Sequence, residues 1–397
     1  MIKNLFKSRI ALLYLISMSM VFSFSAWMSL LNNFAIEAAS FDGSQIGILQ
    51  SIREIPGFLS FGVIFVLLFI HQQRLVYISM LFLGIGVAFT GLYPSAMGLY
   101  ATTVIMSLGF HYQETLNQSL ALQWLDKKSA PIVLGKITAA KSFTSLLVFV
   151  LIYFMMKFYA IEYKYVYLFF GGVTFIIGIL AWILFDHFKD DVIQEKKVRL
   201  KKEYWLFYVL TFFAGARRQI FVVFASFLLV EKFGVDIENM VALLFLNSIL
   251  NIYFAPMIGR FITKFGERLT LRFEYIGLIL VFLSYAFVEN LYFAYALFMV
   301  DHLLFSMAIA LKTYFHKIAN PKDLASASAV SFTINHIAAV FLPVLLGIIW
   351  LYSHSLVFII GASIAVFSFA LSFLIPHNPT MGRETTLTKE DLTFKVI

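Results

Sequence analysis

The feature that most constrains this chain is a series of about twelve apolar segments, each long enough to cross a lipid bilayer as a helix. A spanning helix needs about 20 mainly apolar residues. Of the 397 residues, 61% are hydrophobic and 13% are charged, whereas a soluble domain has about 25% charged residues. We therefore predict an all-α integral membrane protein with twelve transmembrane helices. The predicted spans are 10–33, 44–70, 75–93, 96–119, 132–157, 163–186, 204–230, 238–258, 270–289, 291–315, 324–351 and 355–376.

Lysine and arginine are distributed unequally between the two sides of the membrane. With an even number of spans both termini lie on one side, where about 21 basic residues fall, against about three on the other side. Short loops rich in these residues remain in the cytoplasm. We expect both termini to be cytoplasmic and the membrane to be a bacterial cytoplasmic (inner) membrane. The first apolar run is too long for the core of a cleavable signal peptide.

A charged stretch midway along the chain separates six predicted spans from the other six. Its sequence, "DHFKDDVIQEKKVRLKK" (186–202), is typical of a solvated linker held near anionic lipid. A short repeat, Ser-Phe-Thr at 142–144 in the fifth span and at 331–333 in the eleventh, favours duplication of a six-span unit. We expect two pseudo-symmetric six-helix bundles. The predicted ranges are 1–188 and 204–376 for the bundles, 189–203 for the cytoplasmic linker and 377–397 for a cytoplasmic tail.

The segment after the eighth predicted span reads "GRFITKFGERLTL" (259–271) and resembles the cytoplasmic loop motif of the major facilitator superfamily. Gly259, Lys264, Gly266 and Arg268 match the motif, whereas Thr263 occupies its aspartate position. The corresponding loop after the second span lacks both glycines. The resemblance, together with the span count and the central linker, implies the facilitator fold. In that fold spans one, four, seven and ten line a central cavity, with two, five, eight and eleven beside them.

The physical properties of this segment allow two interpretations. Gly259 would permit close approach of backbones at a helix end, and Gly266 would permit a tight reversal of the chain. The basic residues would then face the cytosol and lipid phosphates. The segment is either a positively charged turn or a latch between two helices that breaks when the protein changes state.

Two adjacent arginines lie deep within the seventh predicted span. Arg217 is about 13 residues into the span, or about 19 Å at 1.5 Å per residue, which is too far for its side chain to reach the cytoplasmic interface. Neighbouring helical residues point about 100° apart, so we expect one arginine to face the cavity and the other a neighbouring helix. Arg217 and Arg218 could each form a structural ion pair or bind solute. In the empty cavity we expect Glu114 or Asp301 to be the paired carboxylate.

Other polar side chains within the predicted spans are candidates for a solute and proton pathway, because a charge in mid-bilayer costs about 2.5–3.5 kcal/mol and usually faces protein or water. His111 and Glu114 share a stripe of the fourth span, and both can exchange protons. Glu114 could instead neutralise Lys141 or an arginine permanently. Arg53 and Glu54 could form a local pair near the outer interface. The remaining candidates are Asp301, His302, Asn247, Asn335 and His336.

The balance of charge within the spans favours a particular class of solute. About six basic side chains oppose about three acidic ones, and arginine binds carboxylates and phosphates bidentately. We expect a monomeric, proton-coupled secondary transporter of a small anionic or zwitterionic organic solute, working by alternating access. Its partners would be solute, protons and the lipid bilayer, with no nucleic acid, cofactor or metal.

Two alternatives remain beside this interpretation. A multidrug-type efflux transporter is disfavoured because the fifth span lacks the Gly-Pro motif that the resemblance implies for that branch. A non-transporting sensor or scaffold on the same fold would have a closed or salt-bridged cavity. An enzyme is disfavoured because the chain has no cysteine and no nucleophile elbow, P-loop or zinc-protease motif.

Overall fold

The computed structural model describes residues 6–59, 62–67, 69–125, 130–188, 201–320 and 324–387. Within these ranges the chain is almost entirely helical, and the only β-type pairing there is an isolated bridge between Thr380 and Arg383. The predicted all-α class is confirmed. It follows from the composition, because a backbone placed in lipid must satisfy its own hydrogen bonds within each segment.

The chain divides into two compact units. The first unit comprises residues 1–45, 52–195 and 235–245, and the second comprises 46–51, 196–234 and 246–397. Residues 189–200 of the predicted linker lie outside the described residues. The end of that linker forms a single 3₁₀ turn, Lys202–Tyr204.

Six long helices lie wholly or mostly in the first unit, with residues 46–51 of the second helix grouped with the second unit. The Ser8 hydroxyl caps the first of them, and Asp42 and Gln45 form a capping box at the second. A single helical turn, Val63–Val66, follows the second helix. The helices are α1 (Arg9–Ala39), α2 (Gly43–Phe58), α3 (Gln72–Thr90), α4 (Ala96–Trp124), α5 (Ala130–Lys157) and α6 (Tyr163–Leu184).

Glycines allow α3 to pack closely against its neighbours. A Cβ atom added at Gly84 of α3 would lie 2.8 Å from the carbonyl oxygen of Gly171 on α6. A Cβ atom at Gly109 of α4 would lie 2.2 Å from the backbone nitrogen of Leu83 on α3. In a membrane, where no hydrophobic force drives helices together, such small residues permit the backbone approach that holds the bundle.

The second unit contains seven α-helices and a π-helical segment. Ile237, where the long helix α9 begins, belongs to the short stretch grouped with the first unit. The elements are α7 (Trp205–Gln219), the π-helical segment Ile220–Ala225, α8 (Ser226–Glu231), α9 (Ile237–Ala286), α10 (Leu291–Ser306), α11 (Ile309–Ile318), α12 (Leu324–Trp350) and α13 (His354–Leu371).

Two of the predicted spans in this unit are interrupted, and a third break lies between the eighth and ninth predicted spans. The seventh changes from α to π geometry at Ile220. The tenth is broken at Met307 and Ala308, where the backbone makes i to i+3 hydrogen bonds. Gly266 breaks α9, with φ 78° and ψ 167°. Such breaks expose backbone groups and re-aim side chains, and in membrane transport proteins they lie near binding sites.

Ten helices among the described residues are long and apolar enough to cross a membrane. They account for every predicted span except the second and the fourth. The second lies on α2, which carries Arg53, Glu54 and Pro56, and the fourth lies on the polar 29-residue α4. An integral membrane protein is confirmed, and the count of twelve spans stays a prediction.

The segment 259–271 differs from the expected loop. It is helical on both sides of Gly266, whose positive φ is accessible to glycine at little cost, as the sequence indicated. Gly259 lies within the helix, and a Cβ atom added there would meet nothing within 4 Å among the described residues. The expectation that Gly259 permits a close backbone approach at a helix end is therefore wrong.

The first part of the predicted tail packs against the second unit. The Tyr314 hydroxyl on α11 donates a hydrogen bond to the Glu384 carbonyl at 2.5 Å. The Thr386 amide donates to the Leu374 carbonyl at 2.9 Å. Residues 388–397 of the tail lie outside the described residues.

Candidate functional site

In the first unit, α2 and α4 hold a buried cluster of charged and polar side chains. Arg53 and Glu54 form an ion pair, and their side chains are 8% and 3% exposed. A carboxylate oxygen of Glu54 lies within 4.8 Å of an imidazole nitrogen of the buried His111. The Ser107 hydroxyl, one turn before His111, donates to the Arg53 carbonyl. The local pair therefore exists, and it is buried close to an imidazole.

The polar residues of α4 have different surroundings. Gln113 donates to the Ile16 carbonyl at 2.9 Å, and Asn117 donates to the Ser17 hydroxyl at 2.8 Å. These two amides therefore anchor α4 to α1. Glu114 is half-buried on the same helix. The candidate Lys141 is half-buried on α5.

In the second unit, Arg217 is held in a polar cluster that joins three helices. Its guanidinium lies 3.7 Å from the Glu274 carboxylate on α9 and donates a hydrogen bond to the Ser368 hydroxyl on α13. It also lies over the Tyr275 ring, 4.6 Å from the ring centroid. The Arg217 and Glu274 side chains are 2% and 1% exposed. This cluster fixes α7 against α9 and α13 by a charge pair that neither lipid nor water reaches.

Glu274 was missed by the sequence analysis, which expected Glu114 or Asp301 beside the arginine. Glu274 lies four residues into the ninth predicted span, next to the basic residues of the preceding segment. Its presence changes the charge count, because Arg217 no longer contributes to a surplus of positive charge. Ser368 was missed as well, because the sequence analysis named no candidate in the twelfth span.

Arg218 lies beside this cluster but is aimed elsewhere. It is half-buried, whereas Arg217 is buried. Adjacent residues of an α-helix point about 100° apart, so the two guanidinium groups leave α7 in different directions, as expected. The π-helical segment begins two residues after Arg218.

Asp301 on α10 is a fully buried carboxylate. Neither of its oxygens has a hydrogen-bond partner among the described residues. Leu304, one turn later, packs against Gly277 of α9, where an added Cβ atom would lie 2.7 Å from a Leu304 methyl carbon. This face of α10 therefore faces α9. Tyr285 of α9 is within electrostatic range of Asp301 and is also buried.

His302 follows on the next face of α10. Its Nδ1 atom donates to the Phe298 carbonyl at 2.8 Å, and its ring meets the Phe221 ring of the π-helical segment edge-on at 4.3 Å. One turn further on, the Ser306 hydroxyl lies 2.6 Å from the Asn251 amide oxygen on α9. Two interrupted spans are thus joined through His302.

Asn247 offers unused hydrogen-bonding capacity. It is 2% exposed, and neither atom of its amide has a hydrogen-bond partner among the described residues. Asn247 and Asn251 are four residues apart on one face of α9. Buried polar groups normally have partners, so this amide can still donate and accept further hydrogen bonds.

The candidates on α12 lie close to the arginine-bearing helix. A Cβ atom added at Gly215, two residues before Arg217, would lie 2.9 Å from the Asn335 amide nitrogen. This places the Asn335 side chain against α7. His336 is buried on the same helix.

The gating candidates lie around the break in α9. Lys264 is exposed and lies over the Phe265 ring at 5.2 Å, and Arg268 is half-buried. The sequence analysis missed Glu267, whose buried carboxylate pairs with Lys317 of α11 at 2.8 Å. This ion pair, next to Gly266, connects the break in α9 to α11.

Comparisons with known proteins agree with this architecture. A family model described as Major Facilitator Superfamily matches residues 10–311. No curated protein matches the chain.

Solved structures of transporters resemble the chain over almost its whole length. The nucleoside transporter NupG has a TM-score of 0.73 and 15% identity, covering 92% of this chain and 98% of that chain. A bacterial homologue of the human lysosomal transporter Spinster, inward-facing and occupied, has a TM-score of 0.73 and 12% identity, covering 95% and 97%. A D-xylose–proton symporter has a TM-score of 0.70 and 12% identity, covering 92% and 97%. At this identity the likeness is one of fold.

Proposed function

The chain belongs to the Major Facilitator Superfamily, and on that premise we propose that it is a proton-coupled secondary transporter of a small anionic or zwitterionic organic solute. It is a transporter rather than an enzyme. The observation that carries the finer proposal is Arg218, a half-buried arginine deep in a cavity-lining span, beside an Arg217 whose charge Glu274 already balances.

The division of labour between the two arginines supports an anionic solute. Arg217 holds the bundle through Glu274, Ser368 and Tyr275. Arg218 supplies a guanidinium on another face of the same helix, and a planar guanidinium matches a carboxylate or phosphate group. The unused amide of Asn247 supplies neutral hydrogen bonds for the rest of a polar solute.

Proton coupling requires a carboxylate that changes its protonation state during the cycle. Asp301 and Glu114 are the proposed carriers. Asp301 has the stronger support, because an ionised carboxylate without hydrogen bonds is costly to bury and a bound proton removes that cost. The adjacent His302 makes its backbone hydrogen bond through Nδ1, which leaves Nε2 as a second proton-binding atom.

A neutral, hydrogen-bonding solute is the second candidate. It is favoured by the neutralisation of Arg217 and by the partnerless amide of Asn247. Two of the structures that the chain resembles are a nucleoside transporter and a D-xylose–proton symporter. Nucleosides and D-xylose are polar solutes rich in hydrogen-bonding groups.

We place the protein in a bacterial cytoplasmic membrane, as a monomer with both termini in the cytoplasm. The distribution of Lys and Arg supports this orientation. It puts the break at Gly266 on the cytoplasmic side, and the connection from Ala286 to Leu291 on the outer side.

The test uses purified protein in sealed vesicles with an imposed pH gradient, acidic outside. We expect accumulation of succinate or glutamate that a protonophore abolishes. Accumulation of uridine or xylose without the two acids would select the neutral-solute candidate. Transport that ignores the pH gradient would overturn proton coupling, and absence of transport for a wide panel would favour the sensor or scaffold alternative.

A further inference from the structure

A polar pocket of about 280 Å³ opens at one end of the second unit. It lies where α8, α9 and α12 end and α13 begins, and the proposed orientation puts this end on the outer side. Lys232, His354 and Tyr285 are among its lining residues. A pocket with such walls holds water.

The charged groups around the pocket are held in fixed positions. The Glu231 carboxylate accepts a hydrogen bond from the Trp350 indole at 2.7 Å and lies 3.3 Å from the His354 ring. The Lys232 ammonium donates to the Val288 carbonyl at 2.7 Å and to Glu289 at 2.9 Å. These pairs hold the polar groups in place at the walls of the pocket. The positive charge of Lys232 is balanced by Glu289, so it does not repel an incoming proton.

Tyr285 connects the wall of this pocket to the interior of the unit. Its ring is stacked on Phe358 at 5.0 Å, and the whole residue is 2% exposed. The hydroxyl has no hydrogen-bond partner among the described residues. A buried hydroxyl without a partner is uncommon and is suited to a proton that arrives and leaves.

The packing of α9 on α10 directs this hydroxyl toward Asp301. Only residues 287–290 separate the two helices, so they are antiparallel neighbours. Gly277 of α9 lies opposite Leu304 of α10, so in the antiparallel pair Tyr285 of α9 lies opposite residue 296 of α10. Residue 296 is five residues before Asp301, which is about 7–8 Å along the helix axis at 1.5 Å per residue. Side chains lean toward the N-terminus of their own helix, so in this antiparallel pair the two side chains lean toward each other.

We infer that the outer pocket and Tyr285 form the entry through which protons reach Asp301. A hydronium ion that enters the pocket from an acidic medium gives a proton to the Tyr285 oxygen and becomes water, while the original O–H bond of Tyr285 breaks and its proton forms a new O–H bond on the Asp301 carboxylate. The phenol ends unchanged, and Asp301 ends neutral. This inference rests on the proposed proton-binding role of Asp301 and adds a route that bypasses the solute.

The experiment follows proton exchange at Asp301 by infrared spectroscopy of the protein in lipid membranes. The protonated carboxyl band is assigned as the one that Asp301→Asn removes, and its shift is timed after the medium is changed to D₂O. In Tyr285→Phe, which keeps the stacked ring, we expect exchange slowed by about a hundredfold, the lower end of what a positioned proton donor contributes. Tyr275→Phe, a buried tyrosine on the same helix outside the pocket, should leave the rate unchanged.

The outcomes separate the route from the underlying function. If Asp301→Asn removes no carboxyl band, the proposed proton site fails, whatever Tyr285 does. If the band is present and exchanges in Tyr285→Phe at the original rate, the route is overturned. Equal slowing in Tyr275→Phe would also overturn it, because the effect would then come from loosened packing.

A second variant tests the pocket without altering Tyr285. The chain has no cysteine, so a single cysteine can be labelled selectively. Leu351 lines the pocket and is exposed, and Tyr292 is exposed outside the pocket lining. A bulky methanethiosulfonate reagent on Leu351→Cys should slow exchange at Asp301, whereas the same reagent on Tyr292→Cys should not. Equal rates before and after labelling of Leu351→Cys would place the entry elsewhere.

Discussion

Arg217 and Glu274 form a charge pair, with 3.7 Å between guanidinium nitrogen and carboxylate oxygen, in which both side chains are almost inaccessible. Burying two charges gains little over well-packed apolar residues, but removing one partner leaves the other charge stranded. The pair therefore predicts strong coupling between the two positions in stability rather than in transport. It also explains how an arginine persists deep in a membrane span without facing solute.

We predict that Arg217→Met or Glu274→Leu lowers the free energy of unfolding by about 3–5 kcal/mol, because each leaves a buried charge unpaired. The double variant Arg217→Met with Glu274→Leu should recover most of that loss. The measurement is thermal unfolding of the purified protein in detergent, analysed as a double-mutant cycle. Additive losses in the cycle would contradict the pairing.

Arg218 should act on solute binding. Arg218→Ala should weaken the binding of an anionic solute by about 1.5–3 kcal/mol, the usual worth of a hydrogen bond to a charged group. That corresponds to roughly 10- to 150-fold in KM. Arg218→Lys should bind the solute with an affinity between those of the wild type and Arg218→Ala, because lysine keeps the charge without the bidentate fork. The measurement is solute uptake by vesicles. Arg217→Lys serves as the matched control, because it alters the neighbouring arginine that the structure places in the buried ion pair.

The two arginines also show how far the sequence alone could reach. Their spacing along a helix predicted that they point apart, and the composition predicted a helical membrane protein. The partner of Arg217 could not be predicted, because Glu274 is 57 positions away and hydrophobic periodicity gives the face of a helix but not its neighbour. Asp301 and Tyr285 illustrate the same limit, since only the contact of Gly277 with Leu304 sets the register of their helices.

The carboxylate candidates can be distinguished by their effect on coupling. We predict that Asp301→Asn leaves exchange of solute across the membrane intact but abolishes accumulation driven by a pH gradient, because the amide cannot bind and release a proton. Glu114→Gln is the parallel variant on α4. If both variants still accumulate solute with the original dependence on the pH gradient, neither carboxylate carries the proton.

Asn247 provides a test that separates solute binding from folding. Its amide has no partner among the described residues and is buried. Asn247→Leu therefore removes an unsatisfied polar group and replaces it with an apolar side chain of similar size. We predict unchanged or increased thermal stability, by about 1–3 kcal/mol at most, together with loss of solute binding. Unfolding and vesicle uptake are measured on the same preparation. A loss of stability would mean that the amide has a structural partner and is not reserved for solute.

Gly259 and Gly266 are both part of the superfamily-like motif, yet the structure gives them different physical roles, and alanine substitution distinguishes them. Gly266 has a φ of 78° and a ψ of 167°, a backbone conformation almost restricted to glycine, so Gly266→Ala should destabilise by about 1–3 kcal/mol. Gly259 is helical with open space around an added Cβ atom, so Gly259→Ala should stabilise by up to about 1 kcal/mol through helix propensity. Thermal unfolding of the two variants should therefore shift in opposite directions.

If the α9 break is also the hinge of the transport cycle, Gly266→Ala should slow transport while Gly259→Ala does not. Equal shifts of the same sign would mean that Gly266 does not hold its positive φ in the membrane.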